Sequence, residues 1–160
     1  MAQHPSSRYP SFYRIFFTWL DPIICAFGAY IDFFDPTLVL SSHIPNLPAD
    51  VGHTMILRQR GGCMLYFGLL SAVLLRYTRD PVVWQIVQAS CLLVDFTYFW
   101  GAFGALGEQG RLGVGMWRAE DWGAVGITGV ATVTRVAYLL GVGMGSGGKT
   151  GKNGKNGKRN

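Results

Sequence analysis

Four long apolar runs divide the chain, and each is bounded by a turn or a cluster of charge. The first covers residues 12–34. At 1.5 Å per residue it is about 34 Å long, enough for the roughly 30 Å hydrocarbon core of a bilayer. It is too long for the apolar part of a secretion signal, and no small-x-small cleavage site follows it, so the run is expected to be retained. Asp35-Pro36 closes it, because the residue before a proline avoids helical geometry. Residues 36–54, with Pro36, Pro45 and Pro48, read as a loop whose apolar residues 37–40 and Ile44 suit a membrane surface. The second run covers residues 55–75. Its first turn carries Arg58, Gln59 and Arg60, and long arginine stems can snorkel to the headgroups. Asp80 as N-cap and Pro81 at the first helical position open a third helix over residues 82–103. A glycine-rich loop over residues 104–121 leads to the fourth, residues 122–142. The pattern predicts an all-α, polytopic membrane protein: a four-transmembrane-helix bundle over residues 12–142. Residues 1–11 are expected to form a flexible tail, and residues 143–160 a disordered basic Gly/Lys/Asn tail.

Composition agrees with the pattern. Of 160 residues, 49% are hydrophobic and only 14% are charged, against about 25% charged in an ordinary soluble domain. The net charge of +5 comes from Lys149, Lys152, Lys155, Lys158 and Arg159. Without that tail nine arginines face nine acids, so no basic face is expected and nucleic acid is not an expected partner. Four spans put both termini and the 76–81 turn on one side. That side holds nine Lys and Arg and the other side four, so the positive-inside rule places both termini in the cytosol.

Two motifs lose their force in context. Residues 143–150 fit the phosphate-loop pattern GxxxxGK[ST], but an apolar span precedes them and no helix-forming sequence follows to aim backbone N–H groups at phosphate. The three cysteines, Cys25, Cys63 and Cys91, each lie in an apolar block without CxxC spacing, and read as buried free thiols. His43 and His53 lie in the first loop without a metal-ligand spacing. No metal and no cofactor is expected, since haem, flavin and nicotinamide signatures are also lacking.

Charged groups inside the spans then become the informative residues, because each costs about 2.5–3.5 kcal/mol at a helix centre. They are Asp21 in the first helix, Asp95 in the third and Arg135 in the fourth. Residue counting puts Arg135 at a depth from which its fork reaches Asp21, with Asp95 a little further away. Asp21, Gly28 and Asp32 share one helical face. Gln88, Asp95 and Tyr98 share another, with Gln85 above them, and Thr128, Thr132 and Arg135 a third. Gly123, Gly126 and Gly129 are expected to allow close helix approach. Two readings stay open: a buried ion pair that holds the bundle together, and a polar cavity built for a ligand. Glu120 and Asp121 read as acids favoured at a helix N-terminus, or as a cover on the cavity mouth.

Together, Asp21-Pro22, Asp95, Trp117 and Trp122 before and at the fourth helix, and Arg135 resemble a family of small fungal four-helix membrane proteins grouped by a domain of unknown function. Some of these belong to gene clusters for polyketides and terpenoids. In that family Glu precedes the proline and a His often follows the helix-3 Asp by three residues; here those positions hold Asp21 and Tyr98. The resemblance implies a role in specialised metabolism, at the endoplasmic reticulum, and names no reaction.

The leading expectation is a membrane enzyme acting on a lipophilic molecule by acid–base chemistry, as epoxide hydrolysis or cyclisation. Asp95 would be the acid, Asp21 the base or the partner of Arg135, and Gln88, Tyr98, Trp100 and Thr132 substrate contacts. A carbocation cyclase using Phe99 and Trp100 is a close variant. The alternative is a non-catalytic accessory that anchors pathway enzymes or moves a hydrophobic intermediate. Expected partners are the bilayer, a lipophilic substrate, and pathway enzymes or a second copy of the chain.

Overall fold

The computed structural model describes residues 10–144, and those residues are helical with no strand. The N-terminal tail, the glycine–lysine tail and all but the first two residues of the GxxxxGK[ST] match lie outside them. The first long helix, α1, runs Ser11–Phe34. Its regular turns are interrupted by a wide π turn at Phe16–Leu20, where the Asp21 N–H returns to the Phe16 carbonyl five residues back. Proline supplies the reason. Pro22 has no N–H for the Thr18 carbonyl four residues earlier, and its ring crowds that oxygen. Arg76 of a neighbouring helix donates its Nη2 to the Thr18 carbonyl at 2.6 Å and lays its guanidinium 4.0 Å over the Trp19 ring.

Residues 36–54 are not a plain loop. A short helix, α2, occupies Pro36–His43, with Asp35 as N-cap accepting from the Leu38 N–H at 3.0 Å. The next long helix, α3, starts at Val51, capped by Asp50, and continues through residue 77. It contains a second π turn at Leu70–Leu74, which lies against the first one in α1. The following helix, α4, runs Pro81–Glu108, with Asp80 as N-cap as expected. It passes Gly104 and Gly107 and stops where Gly110 adopts a φ of 65°, a left-handed conformation that ends helices. A single 3-10 turn at Val114–Met116 then leads into α5, Ala119–Leu139. Glycines at 141 and 143, with φ of 75° and 73°, close α5.

The long helices form two antiparallel pairs, α1 with α3 and α4 with α5, and α2 lies across one end of both. Small residues bring α1 and α3 together. A methyl group on Gly68 would stand 3.1 Å from the Cys25 Cβ, and one on Gly61 3.1 Å from the Asp32 Cβ. Gly123, Gly126 and Gly129, expected to do this work in α5, face open space instead. The pairs join through an aromatic core. Tyr13 and Phe17 of α1 set their rings 5.4 Å from Tyr138 of α5, and Trp84 of α4 closes on the same ring. The Tyr13 hydroxyl donates to the Val142 carbonyl at 2.9 Å.

Elsewhere the side chains are arranged inside out. Ile15, Ile23 and Phe27 of α1, Ile56, Leu65 and Leu69 of α3, Ile86, Leu93 and Phe96 of α4, and Ile127, Val130 and Val133 of α5 are all exposed, whereas Asp21, Asp32, Gln88, Asp95 and Arg135 are buried. Two helices, α1 and α4, are long and apolar enough to cross a membrane.

Candidate functional site

Asp21 is the first residue after the π turn in α1, and the extra residue in that turn sets its direction. It points between the two helix pairs and meets Arg135 of α5. Arg135 Nη2 donates to both Asp21 oxygens, at 2.7 and 2.8 Å. The other arm, Nη1, donates to the Asp95 Oδ2 of α4 at 2.6 Å. All three residues are buried. One guanidinium therefore ties three helices, and its fixed fork suits two carboxylates better than a lysine ammonium would. Thr132, one turn before Arg135, faces Asp95 while its hydroxyl donates to the Thr128 carbonyl at 2.8 Å. Cys25 and Cys91 lie within electrostatic reach of the same group.

Gln88, on the Asp95 face of α4, is 0% exposed, and neither its amide oxygen nor its amide nitrogen has a hydrogen-bond partner among the described residues. Ser71, in the α3 π turn, is 1% exposed and its Oγ is also unpartnered there. Most buried polar groups in proteins are paired, so each such exception calls for a reason.

The remaining sequence candidates lie elsewhere. Tyr98 sits nearer the α2 end, where its hydroxyl meets the His43 Nε2 at 3.3 Å. Trp100 is 82% exposed on the outer face of α4, and Gln85 is exposed as well. Cys25 is half-buried and Cys91 buried, but Cys63 lies on the outer face of α3. No three His, Cys, Asp or Glu side chains gather as metal ligands among the described residues.

Two ion clusters escape a reading of the sequence. Arg60 does not reach outward to headgroups. Its Nε donates to the Asp32 Oδ2 at 2.8 Å and its Nη2 to Oδ1, closing a pair between α3 and the fully buried Asp32 of α1. The other cluster caps the α2 end. Asp121, buried at the start of α5, accepts from Arg111 Nη1 at 2.6 Å and from the Arg118 backbone N–H at 2.8 Å. Burial alone would raise the Asp121 carboxyl, but the hydrogen bonds from Arg111 and Arg118 outweigh it and hold the carboxyl well below the usual carboxylate range. Arg118 passes on to the Ser41 and Ser42 carbonyls at 3.1 and 3.2 Å, and Gln109 Nε2 donates to the His43 carbonyl at 3.1 Å. These are the free carbonyls at the α2 C-terminus, the negative end of its dipole. The Trp117 and Trp122 rings meet beside them, 4.9 Å apart and tilted by 56°. Asp35-Pro36, which starts α2, reads in the sequence as the stop of the preceding run, so the carbonyls these arginines seek are not visible there either.

A helical bundle with an apolar outer face and a buried acid–arginine–acid group defines the class. The chain belongs to the family described as a domain of unknown function, DUF7704, whose sequence profile matches residues 6–145. Neither a curated protein nor a solved structure matches the sequence.

Proposed function

We propose that the chain is a four-span membrane enzyme that performs acid–base chemistry on a lipophilic substrate at Asp21, Arg135 and Asp95. The spans lie within α1, α3, α4 and α5, the fourth beginning at Trp122; their outward faces are largely apolar, while Asp21, Asp32, Asp95 and Arg135 turn inward. Both termini lie in the cytosol, on the count of basic residues. The endoplasmic reticulum and specialised metabolism of a fungus are the setting that the family resemblance suggests.

One observation carries the chemical reading: two carboxyls bond a single guanidinium. A neutral group of this composition retains one proton on a carboxyl, and such a proton is available to a substrate. Asp21 takes both contacts of one arginine arm and is the oriented base. Asp95 takes one and is the acid. With an epoxide as substrate, Asp95 gives its proton to the ring oxygen as the C–O bond breaks. Asp21 accepts a proton from the attacking water, giving a diol, or from an internal hydroxyl, giving a cyclic ether. The proton gained by Asp21 then returns to Asp95 to complete the cycle. The carbocation variant is weaker, because Trp100 stands on the outer face.

A second reading is favoured by the same bonds. They tie α1, α4 and α5 across two helix pairs, which is what a structural clamp in a non-catalytic accessory protein would do. The test is Asp95→Asn in the source organism, with the membrane level of the protein and the lipophilic metabolites both measured. The amide of the variant still offers an oxygen to Arg135, and Asp21 keeps its two contacts, so the level is expected to hold within about twofold. An epoxide or uncyclised precursor should accumulate and identify the reaction. Unchanged metabolites at unchanged level would sink the catalytic reading, and loss of the protein would favour the clamp.

A further inference from the structure

Three buried polar groups at the level of Asp21 have no hydrogen-bond partner among the described residues: the Ser71 hydroxyl of α3, both ends of the Gln88 amide of α4, and the Nε of Arg135. The packing of the helices fixes where each one stands. Gly61 meets Asp32, and Gly68 meets Cys25 and Pro22, so the next turn of the same stripe of the antiparallel α3 brings Ser71 opposite Asp21. The π turn that holds Ser71 packs both on the α1 π turn and on the regular helix that starts at Asp21. Gln88 is placed by α4, which runs parallel to α1. Phe17 and Trp84 meet the same Tyr138 ring, and one turn further along their helices stand Asp21 and Gln88. The neighbours of Gln88 on its own face, Trp84 and Cys91, meet Tyr138 and Arg135 of α5, so the amide faces the interior. Arg135 Nε lies on the same edge of the guanidinium as Nη2, the edge that Arg60 presents to Asp32. Nη2 of Arg135 is the nitrogen on Asp21, so the Nε–H opens beside that carboxyl.

A charged N–H, an amide and a hydroxyl around one carboxyl make a set that both donates and accepts. Ser71 and Gln88 are shut off from the outer faces of the bundle, which suits a small polar molecule and not a lipid. Water is the smallest that answers such a set, and a buried water typically makes about three hydrogen bonds. We infer that Gln88, Ser71 and the Arg135 Nε hold a water molecule against Asp21, and that this water is the nucleophile, so that the reaction is hydrolysis of an epoxide and not cyclisation. The inference rests on the acid–base reading and adds to it the nucleophile and the residues that hold it. In the step, the water oxygen forms the new C–O bond and its proton passes to Asp21. The epoxide C–O bond breaks and its oxygen takes the proton of Asp95. Epoxide and water become a diol, and no other reactant is consumed. Gln88 then serves the water, not the substrate contact that its place on the Asp95 face suggests in the sequence.

The water is tested by nuclear magnetic resonance on the full chain, labelled with 15N-glutamine, in lipid nanodiscs. The Gln88 side-chain amide is assigned by its loss in Gln88→Leu. A direct cross peak to water is expected there, with the rotating-frame sign that separates it from exchange. It should persist in Ser71→Ala, which has no hydroxyl to relay it. Its absence would overturn the site whatever chemistry the protein performs. The role is tested in membranes of the source organism, given the lipophilic extract of the Asp95→Asn strain in 18O-labelled water. A diol carrying one heavy oxygen is expected. At equal protein level, Gln88→Leu and Ser71→Ala should each form it at least about tenfold more slowly. Ser71→Thr, which keeps a hydroxyl, should retain about half the parent rate or more. Ser71→Ala deletes a single atom and carries the test alone if Gln88→Leu is poorly recovered. A product without heavy oxygen, or the parent rate in the recovered variants, would overturn the nucleophile and leave the acid–base reading standing. A cross peak at Gln88 with unchanged metabolites in Asp95→Asn would remove the acid–base reading, and with it the water's part in chemistry.

Discussion

Two arginine clusters stand about 21 Å apart along α5, at 1.5 Å per residue, and their charge counts are inverted. At the α2 end two arginines share one acid, Asp121. In the middle of the bundle two acids share one arginine, Arg135. The surplus at the α2 end is accounted for. Arg111 and Arg118 are partly exposed, and their spare N–H groups end on Gln109 and on the Ser41, Ser42 and His43 carbonyls. The central surplus has no second base to meet it among the described residues, and it is buried. A charge cluster whose surplus is spent on helix ends fastens a segment. One whose surplus is unspent can exchange a proton. Arginine and aspartate are common to both, so the difference lies in what surrounds them.

The largest effect is expected from Arg135→Met, which leaves two buried carboxyls without a partner. Removing one side of a buried ion pair costs about 3–5 kcal/mol, and here three helices lose their tie. Thermal unfolding in detergent should show a sharp fall in Tm or no folded protein at all. Arg135→Lys keeps the charge but not the fork, and should recover only part of the loss. A Tm equal to the parent in Arg135→Met would remove the central cluster from any structural role.

Asp121→Asn should cost less, about 1–3 kcal/mol, and act locally. Hydrogen exchange should accelerate in α2 and residues 109–118 while the α1–α3 pair stays protected. The pH dependence has a definite sign. A carboxyl whose folded-state pKa is depressed adds stability above its unfolded value, about 3.9, and loses it only as pH falls through the folded value. The folded value of Asp121 lies well below the usual range. Protection of α2 should therefore stay level from neutral pH to about 4 and decline only in stronger acid. A decline centred between about pH 5 and 7 would contradict the assignment.

Arg76→Gln removes the donor that reaches the Thr18 carbonyl and the cation over Trp19. Stability should fall by about 1–2 kcal/mol, with faster exchange confined to the two π turns. Smallest is Tyr13→Phe, which deletes the hydrogen bond to Val142 but keeps the ring packing. About 0.5–1.5 kcal/mol should be lost, and the effect should be fraying of the end of α5 rather than of the centre.

The central cluster is legible in the sequence because charge inside an apolar run is rare and helical depth can be counted. Residue numbers alone bring Arg135 within reach of Asp21 and close to Asp95. The α2 end is not legible, for a reason that one dipeptide makes plain. Asp35-Pro36 and Asp80-Pro81 carry the same signal, an N-cap followed by proline at the first helical position. A long apolar run precedes Asp35-Pro36 and gives it the appearance of a stop. A long apolar run follows Asp80-Pro81 and gives it the appearance of a start. Both start helices. Sequence alone sends Arg60 to the headgroups because its partner, Asp32, lies 28 positions earlier in the chain, a distance only the α1–α3 packing closes. Glycines mislead in the same way. Gly123, Gly126 and Gly129 form the better pattern, but Gly28, Gly61 and Gly68 face a neighbour, and which face of a helix meets another is decided by the whole bundle.

The wide turn at Phe16–Leu20 also bears on how this chain can change length. It holds one residue more than a regular helix needs between the aromatic residues Tyr13 and Phe17 and the carboxyl of Asp21. Loss of any single residue there would restore an ordinary helix with every backbone bond made, and nothing in its hydropathy would stand out. Yet the aromatic side and the acid side would be rotated against each other by about 100°, so that one or the other would face outward. For this segment, spacing matters as much as residue type, and a shortened chain would need a compensating change in the facing turn at Leu70–Leu74.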